Sequence, residues 1–178
     1  MLEHVDRLAN ASLPLWPVPE GATARLINVS ENATYLVEAD GFRSILRIHR
    51  PGYHSLRGIE QELAWSRALA EDGMVLTPPP IPGVNGELVQ EGHVDGLPEP
   101  RLMVMFTFAP GRQPDENDDL VAPFERLGAI SARTHIHSRG WKRPEPLERL
   151  VWDAEAVFGP KAYWGNWRDA PNVTAQIR

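Results

Sequence analysis

A chain of 178 residues and 19.9 kDa is the size of about one domain, and 42% hydrophobic with 24% charged residues excludes compositional disorder. A net charge of −6 argues against nucleic-acid binding through a general basic field, and the absence of cysteine excludes disulfides, thiol nucleophiles and cysteine-ligated zinc. The longest apolar run, Leu102-Met103-Val104-Met105-Phe106, is five residues long, against the ~18–20 that a membrane helix needs.

The first ten residues carry Glu3, His4, Asp6 and Arg7 without an apolar core, so they read as a short helix and not as a secretory signal; a cytoplasmic protein is expected. The Asn-x-Ser/Thr sequons at Asn10, Asn28, Asn32 and Asn172 then read as coincidental. After a proline-rich approach over 13–21, three strands are predicted at 24–29, 34–39 and 42–49. Asp40-Gly41 between the last two is a hairpin signal that supplies positive φ. A helix follows over 55–71, with Ser55 as N-cap and Gly73 as its stop. Thr77-Pro78-Pro79-Pro80-Ile81-Pro82-Gly83 is predicted as loop, because proline neither continues a helix nor donates in a ladder. Strands over 87–91 and 102–108 come next, the second apolar on both faces and therefore central. From Leu120 the pattern turns helical, with Pro123 in the first turn and Leu120, Phe124, Leu127, Ile130 and Thr134 on one side. A second helix is predicted over 147–158. The fold class is α+β: a five-stranded antiparallel sheet with one inserted helix, then an incomplete helical part.

Sixteen of the 18 basic residues are arginines, the exceptions being Lys142 and Lys161, and no Gly-Lys-Ser/Thr tripeptide exists. A P-loop is excluded, so phosphate chemistry in the first 141 residues would use arginine, backbone amides or a metal. At about 100° per residue, Glu62 falls inside the apolar arc formed by Ile59, Leu63, Leu69 and Trp65. A carboxylate directed into a packed interface requires a cation there, and Arg47 on the preceding strand is the candidate. Alternation directs Arg47 to the side of Ile45, opposite Leu46 and Ile48. Such a pair behind a β-hairpin positions the α- and β-phosphates of ATP in kinases; an ordinary partly exposed salt bridge is the alternative.

Asn32-Ala33-Thr34-Tyr35-Leu36-Val37, then Ile45-Leu46-Arg47-Ile48-His49-Arg50-Pro51-Gly52 and Gln61-Glu62-Leu63-Ala64-Trp65, resemble the amino-terminal lobe of the aminoglycoside phosphotransferase and choline-kinase-like family. Residues 102–108 with Ala109-Pro110-Gly111 resemble its hinge strand, and Leu127-Gly128 with Ala132-Arg133-Thr134-His135 its Leu-Gly…Ala-x-Leu-His helix. The resemblance implies a protein-kinase-like fold, with a nucleotide-binding lobe over 1–109 and the linker and first helices of a substrate lobe over 110–178. It implies ATP and Mg2+ as cofactors, and as partners a nucleotide and a small-molecule hydroxyl acceptor, without nucleic acid or membrane. Asn32 would belong to the lid over the triphosphate. Arg47 would contact the phosphates and Glu62 would hold Arg47. Met105, Phe106, Thr107 and Phe108 would line the adenine slot. Arginine in place of the protein-kinase lysine changes the phosphate geometry, since a planar fork differs from a point charge.

The family's His-x-Asp-x-x-x-x-Asn loop and its later metal-binding aspartate are not found; after His135 the aspartates are Asp153 and Asp169. His93-Val94-Asp95 is a decoy with Pro100 five positions on, and Val157-Phe158-Gly159 lacks the aspartate of Asp-Phe-Gly. His135 and His137 lie on opposite helix faces, a poor metal pair. The tryptophans at 141, 152, 164 and 167 read as packing anchors or, alternatively, a stacking platform; Asp115-Glu116-Asn117-Asp118-Asp119 reads as a solvated linker or a cation site. No catalytic residue and no metal ligand is assigned. The expected function is a portion of a small-molecule kinase that lacks its catalytic carboxylates, with a non-catalytic nucleotide-binding or interaction module as the alternative.

Overall fold

Alternating apolar side chains and the Asp-Gly turn produce an antiparallel meander in the computed structural model, which describes residues 2–112, 114, 115 and 117–174. Strands β1 (Thr23–Val29), β2 (Asn32–Ala39) and β3 (Phe42–His49) pair in sequence, with Ala39 opposite Phe42 across the turn. Gly41 takes φ 68°, while Asp40 keeps a negative φ, so only the glycine supplies the left-handed conformation expected of the dipeptide. Strand β3 also pairs with β6 (Arg101–Thr107), whose far edge is shared by β5 (Val89–Gly92) and β4 (Pro80–Ile81).

The sheet thus has six strands where five were expected, and the proline cluster is not loop throughout. Pro80 and Ile81 lie opposite Phe106 and Met105, and the Thr107 amide donates to the Pro79 carbonyl at 2.9 Å. Prolines are tolerated there because β4 is an edge strand.

The two sheet faces have different cores. On one, Tyr35, Val37, Leu46, Ile48, Met103 and Met105 pack with Leu8 and Ala9 of α1 (Leu2–Ala11), Leu13 and Trp16. On the other, Val104 packs with Ile59 and Leu63 of α2 (Leu56–Glu71). Strand β6 is therefore covered on both faces, as its unbroken apolar run requires. Trp16, in the proline-rich approach, is 2% exposed and anchors that segment to the sheet. The Asn10 side chain accepts from the Ala24 amide at 2.9 Å and donates to its carbonyl at 3.1 Å, standing in for a neighbouring strand along the outer edge of β1.

Ser55 Oγ accepts from the Gly58 amide at 2.9 Å, closing the start of α2. At the other end Gly73 has φ 65° and donates to the Ala70 carbonyl at 3.0 Å, while Met74 donates to Leu69 at 3.1 Å, the two bonds of a Schellman stop.

Helix α3 (Val121–Gly140) begins where expected, with the Val121 amide donating to Asp119 Oδ1 at 3.1 Å. Its predicted apolar side is not a core: Phe124 and Leu127 are more than half exposed and Ile130 is 40% exposed, while the buried residue is His137. The chain divides into two compact units, Met1–Leu147 and Glu148–Arg178. In the second, the helix expected over 147–158 is only α4 (Ala154–Phe158). Asp153 sits in extended backbone and its side chain accepts from the Ala156 amide at 2.8 Å, so the cap starts the helix there despite the apolar spacing upstream. Trp152 and Trp164 pair with ring centroids 4.7 Å apart, both more than half exposed.

Replacing Trp16 by alanine should lower the unfolding free energy by about 3–5 kcal/mol, from lost transfer and an unfilled cavity. Urea unfolding followed by circular dichroism measures it; a change below about 1 kcal/mol would show that the segment is not part of the cooperative core.

Candidate functional site

With Leu46 and Ile48 committed to the α1 side, Arg47 is turned toward α2. There its Nη2 donates to Glu62 Oε1 at 2.8 Å. Both side chains are about one-fifth exposed (22% and 23%), so the pair is screened less than a surface salt bridge. The guanidinium carbon lies 5.0 Å from the Phe106 ring centroid, a cation–π contact that flanks the planar head. Arg47 Nε is buried without a hydrogen-bond partner among the described residues. One arm of a rigid fork on a carboxylate leaves the rest of a fixed cation available to an anionic ligand.

The other expected site residues are placed unequally. Phe106 faces Arg47, but the Met105 side chain is fully buried in the α1-side core. Thr107 is exposed with its amide bonded to Pro79, and the Phe108 ring lies under Arg43 at 5.5 Å. Asn32 opens β2 opposite His49, and its Oδ1 accepts from the Arg50 amide at 3.3 Å. The structure therefore gathers Arg47, Glu62 and Phe106, keeps Met105 to its backbone, and ties Asn32 to the end of β3.

Sequence reasoning missed what holds α2. Gln61, 5% exposed, donates through Nε2 to the Pro146 carbonyl at 2.9 Å. Arg57 donates to the carbonyls of Glu145 and Pro146 at 3.1 and 3.4 Å. At the other end His137 Nε2 is 3.2 Å from Asp72 Oδ2. The chain following α3 thus holds the N-terminal half of the helix that carries Glu62, while α3 itself sets His137 beside the Asp72 cap. The partners are backbone carbonyls some 85 positions away, and no local pattern announces them.

His49 is buried beside this pair, and its imidazole is pushed down to about 4. Burial is the main cause, reinforced by the Arg47 charge, opposed by Glu62 and assisted by His54. His137 is buried and His135 exposed, so the two do not form a metal pair. Asp95 is exposed on the α1 side, where its carbonyl accepts from Arg7, far from the role of a catalytic loop. Asp118 accepts from Arg112 at 2.6 Å, and Asp115 from the Asn117 amides; these bonds hold both carboxyls below the usual range on an exposed loop. Glu116, part of that acidic stretch, lies outside the described residues. Among the described residues no group of three or more His, Cys, Asp or Glu side chains is gathered to hold a metal ion, and no helix is long and apolar enough to cross a membrane.

An antiparallel sheet with a strand arginine paired to the carboxylate of helix α2 is the arrangement that the resemblance to kinase-like phosphotransferases implies. Residues 23–175 match the family model described as APH, phosphotransferase enzyme family, and the chain belongs to that family. Among solved structures it is similar to a microcompartment-associated aminopropanol kinase, at 39% identity and a TM-score of 0.82 over 99% of this chain and 52% of that one. It is also similar to the amicoumacin kinase hAmiN, solved with AMP-PNP, Ca2+ and Ami, at 26% identity and a TM-score of 0.64 over 80% of this chain and 42% of that one. The chain spans about half the length of the solved structures it matches. A comparison with curated protein sequences yields no match.

His49→Gln removes a group whose pKa is lower folded than unfolded. Between pH 6.5 and about 4 the unfolded chain binds the extra proton, so the wild type loses stability as pH falls through this window and the variant does not. Relative to its value at pH 7, the wild-type–variant difference should shift by up to about 3 kcal/mol at pH 4. Parallel stability–pH curves would contradict this. Gln61→Leu should raise amide hydrogen exchange along α2 at least tenfold while leaving β2 and β3 protected; unchanged exchange in α2 would show that the tether does not hold the helix.

Proposed function

We propose that this chain supplies the nucleotide cradle of an ATP-dependent kinase whose acceptor is the hydroxyl of a small amino alcohol. The observation that carries the nucleotide reading is the Arg47–Glu62 pair at 2.8 Å, flanked by Phe106 and held between β3 and an α2 tethered through Gln61. Arg47 binds the α- and β-phosphates, and Glu62 keeps its head oriented before the nucleotide arrives, so binding does not have to order it. Asn32 steadies the base of the β1–β2 lid through Arg50. The backbone of Met105, Thr107 and Phe108, with the Phe106 side chain, runs beside the adenine. Residues 1–109 form the nucleotide lobe and 110–178 open the substrate lobe. The acceptor class is supported by the 39% identity to the aminopropanol kinase.

Phosphoryl transfer to that hydroxyl uses a divalent metal in this class. The described residues do not fit one, since they gather no set of metal-ligating side chains, and neither the metal nor the proton-accepting step is assigned to a side chain of this chain. The same observation favours a second reading, a nucleotide-binding module without turnover of its own.

Calorimetric titration with AMP-PNP and with Mg-ATP tests the cradle. Arg47→Ala should weaken binding at least tenfold, or about 1.4 kcal/mol, and Glu62→Gln by a smaller factor. Heat of binding unaffected by Arg47→Ala, or absent altogether, would overturn the nucleotide reading. Labelled-phosphate transfer to aminopropanol by this chain should stay at background; turnover abolished by Asp95→Asn would overturn the absence of a catalytic carboxylate.

A further inference from the structure

At the end of the sheet away from the hinge, where β3 leaves it, two adjoining cavities of about 380 and 150 Å³ share the residues His49, Arg50, Pro51 and Arg101. The larger runs between α1 and the β1–β2 turn and is walled by Leu2, Val5, Val29, Ala33 and Ile48. Two of the shared side chains are polar and more than nine-tenths buried: Arg101 is 5% exposed and His49 4%. Arg101 Nη1 and both His49 ring nitrogens have no hydrogen-bond partner among the described residues.

A guanidinium so deeply buried is costly unless an anion compensates it. The nearest carboxylate does so only loosely. Glu99 Oε1 is 3.9 Å from Arg101 Nη1, beyond hydrogen-bond distance, and its side chain is 57% exposed. Glu31 belongs to the wall of the larger cavity. Across the two cavities Arg50 and Arg101 stand with Glu31 and Glu99, so what is left unmet is the hydrogen-bonding capacity of the buried Arg101 Nη1 and not a surplus of charge. Neither Leu2 nor Val5 belongs to the Arg47–Glu62 site, and Ile48 packs on the face opposite α2.

We propose that this end of the sheet is a binding site for a small organic carboxylate carrying a short alkyl chain. The Arg101 fork holds the carboxylate, Arg50 adds charge at the opening, and the alkyl chain fills the space between Val5 and Ile48. A wall that is mostly apolar with a few convergent polar groups at one end is the usual form of a small-molecule site. It selects against inorganic phosphate, which would leave the apolar wall in contact with water.

Calorimetric titration of the chain with hexanoate tests the site without any nucleotide present, so its outcome is separate from that of the nucleotide reading. Hexanoate should bind saturably, with hexanol and inorganic phosphate each at least tenfold weaker. Arg101→Gln should weaken hexanoate at least tenfold. Val5→Phe, which fills the cavity and leaves the guanidinium in place, should do the same, and near-UV circular dichroism verifies the packing of both variants. If Arg101→Gln does not fold, Val5→Phe and the two control ligands decide. Non-saturable hexanoate binding, equal binding of hexanol or of phosphate, or full affinity in a folded variant would overturn the proposal.

Discussion

A guanidinium and a carboxylate brought together away from bulk water constrain everything around them, because either one alone would be an uncompensated charge in a packed interface. Arg47 and Glu62 meet at 2.8 Å, and that contact fixes the facing of β3, the rotation of α2 and the separation of helix from sheet. Apolar packing of Ile59 and Leu63 on Val104 brings the elements together, but packing is indifferent to small rotations. The ion pair is directional. It also leaves a fixed cation beside the Phe106 ring.

The surroundings make that geometry rigid from both sides. Behind the sheet, α1 and Trp16 form a second core, so β3 and β6 cannot curl away from α2. A buried Tyr35 hydroxyl donates to Asp6 at 2.7 Å, and burial together with that bond pushes the phenol up, so it stays a neutral donor tying α1 to β2. In front, α2 is held in its N-terminal half by Arg57 and Gln61 on the carbonyls of 145 and 146, and His137 lies beside the Asp72 cap at its other end. A helix tethered beside Glu62 presents that carboxylate without having to swing into place. Such an arrangement suits a binding site that is assembled before its ligand arrives.

The second core has a further consequence. Where the α1 layer ends, the sheet's last residues are neither in water nor fully packed, and His49 and Arg101 are left buried with unmet hydrogen-bonding capacity. The same end carries the base of the β1–β2 turn through the contact of Asn32 with Arg50.

Much of this was legible in the residues. Ser55 and Gly73 bracket α2 because a hydroxyl cap and a left-handed stop are local chemistry, and the Arg47–Glu62 contact followed from a period of two on a strand and 3.6 on a helix. The family resemblance placed the sheet and its inserted helix, in agreement with the matched family model and the kinase structures. Other features came only from the tertiary structure. Pro80 and Ile81 form a strand because an edge of β6 was available, a fact about a neighbour and not about proline. The apolar stripe of α3 is exposed because burial depends on what packs against a helix, and a spacing pattern contains no partner. The helix expected over 147–158 shrank to five residues because one cap at Asp153 outranked periodicity. The tether of Gln61 and the burial of the Arg101 and His49 side chains were invisible for the same reason: sequence spells out which groups a chain owns and how they face along one element, while their hydrogen-bond partners are decided by residues that only folding brings near.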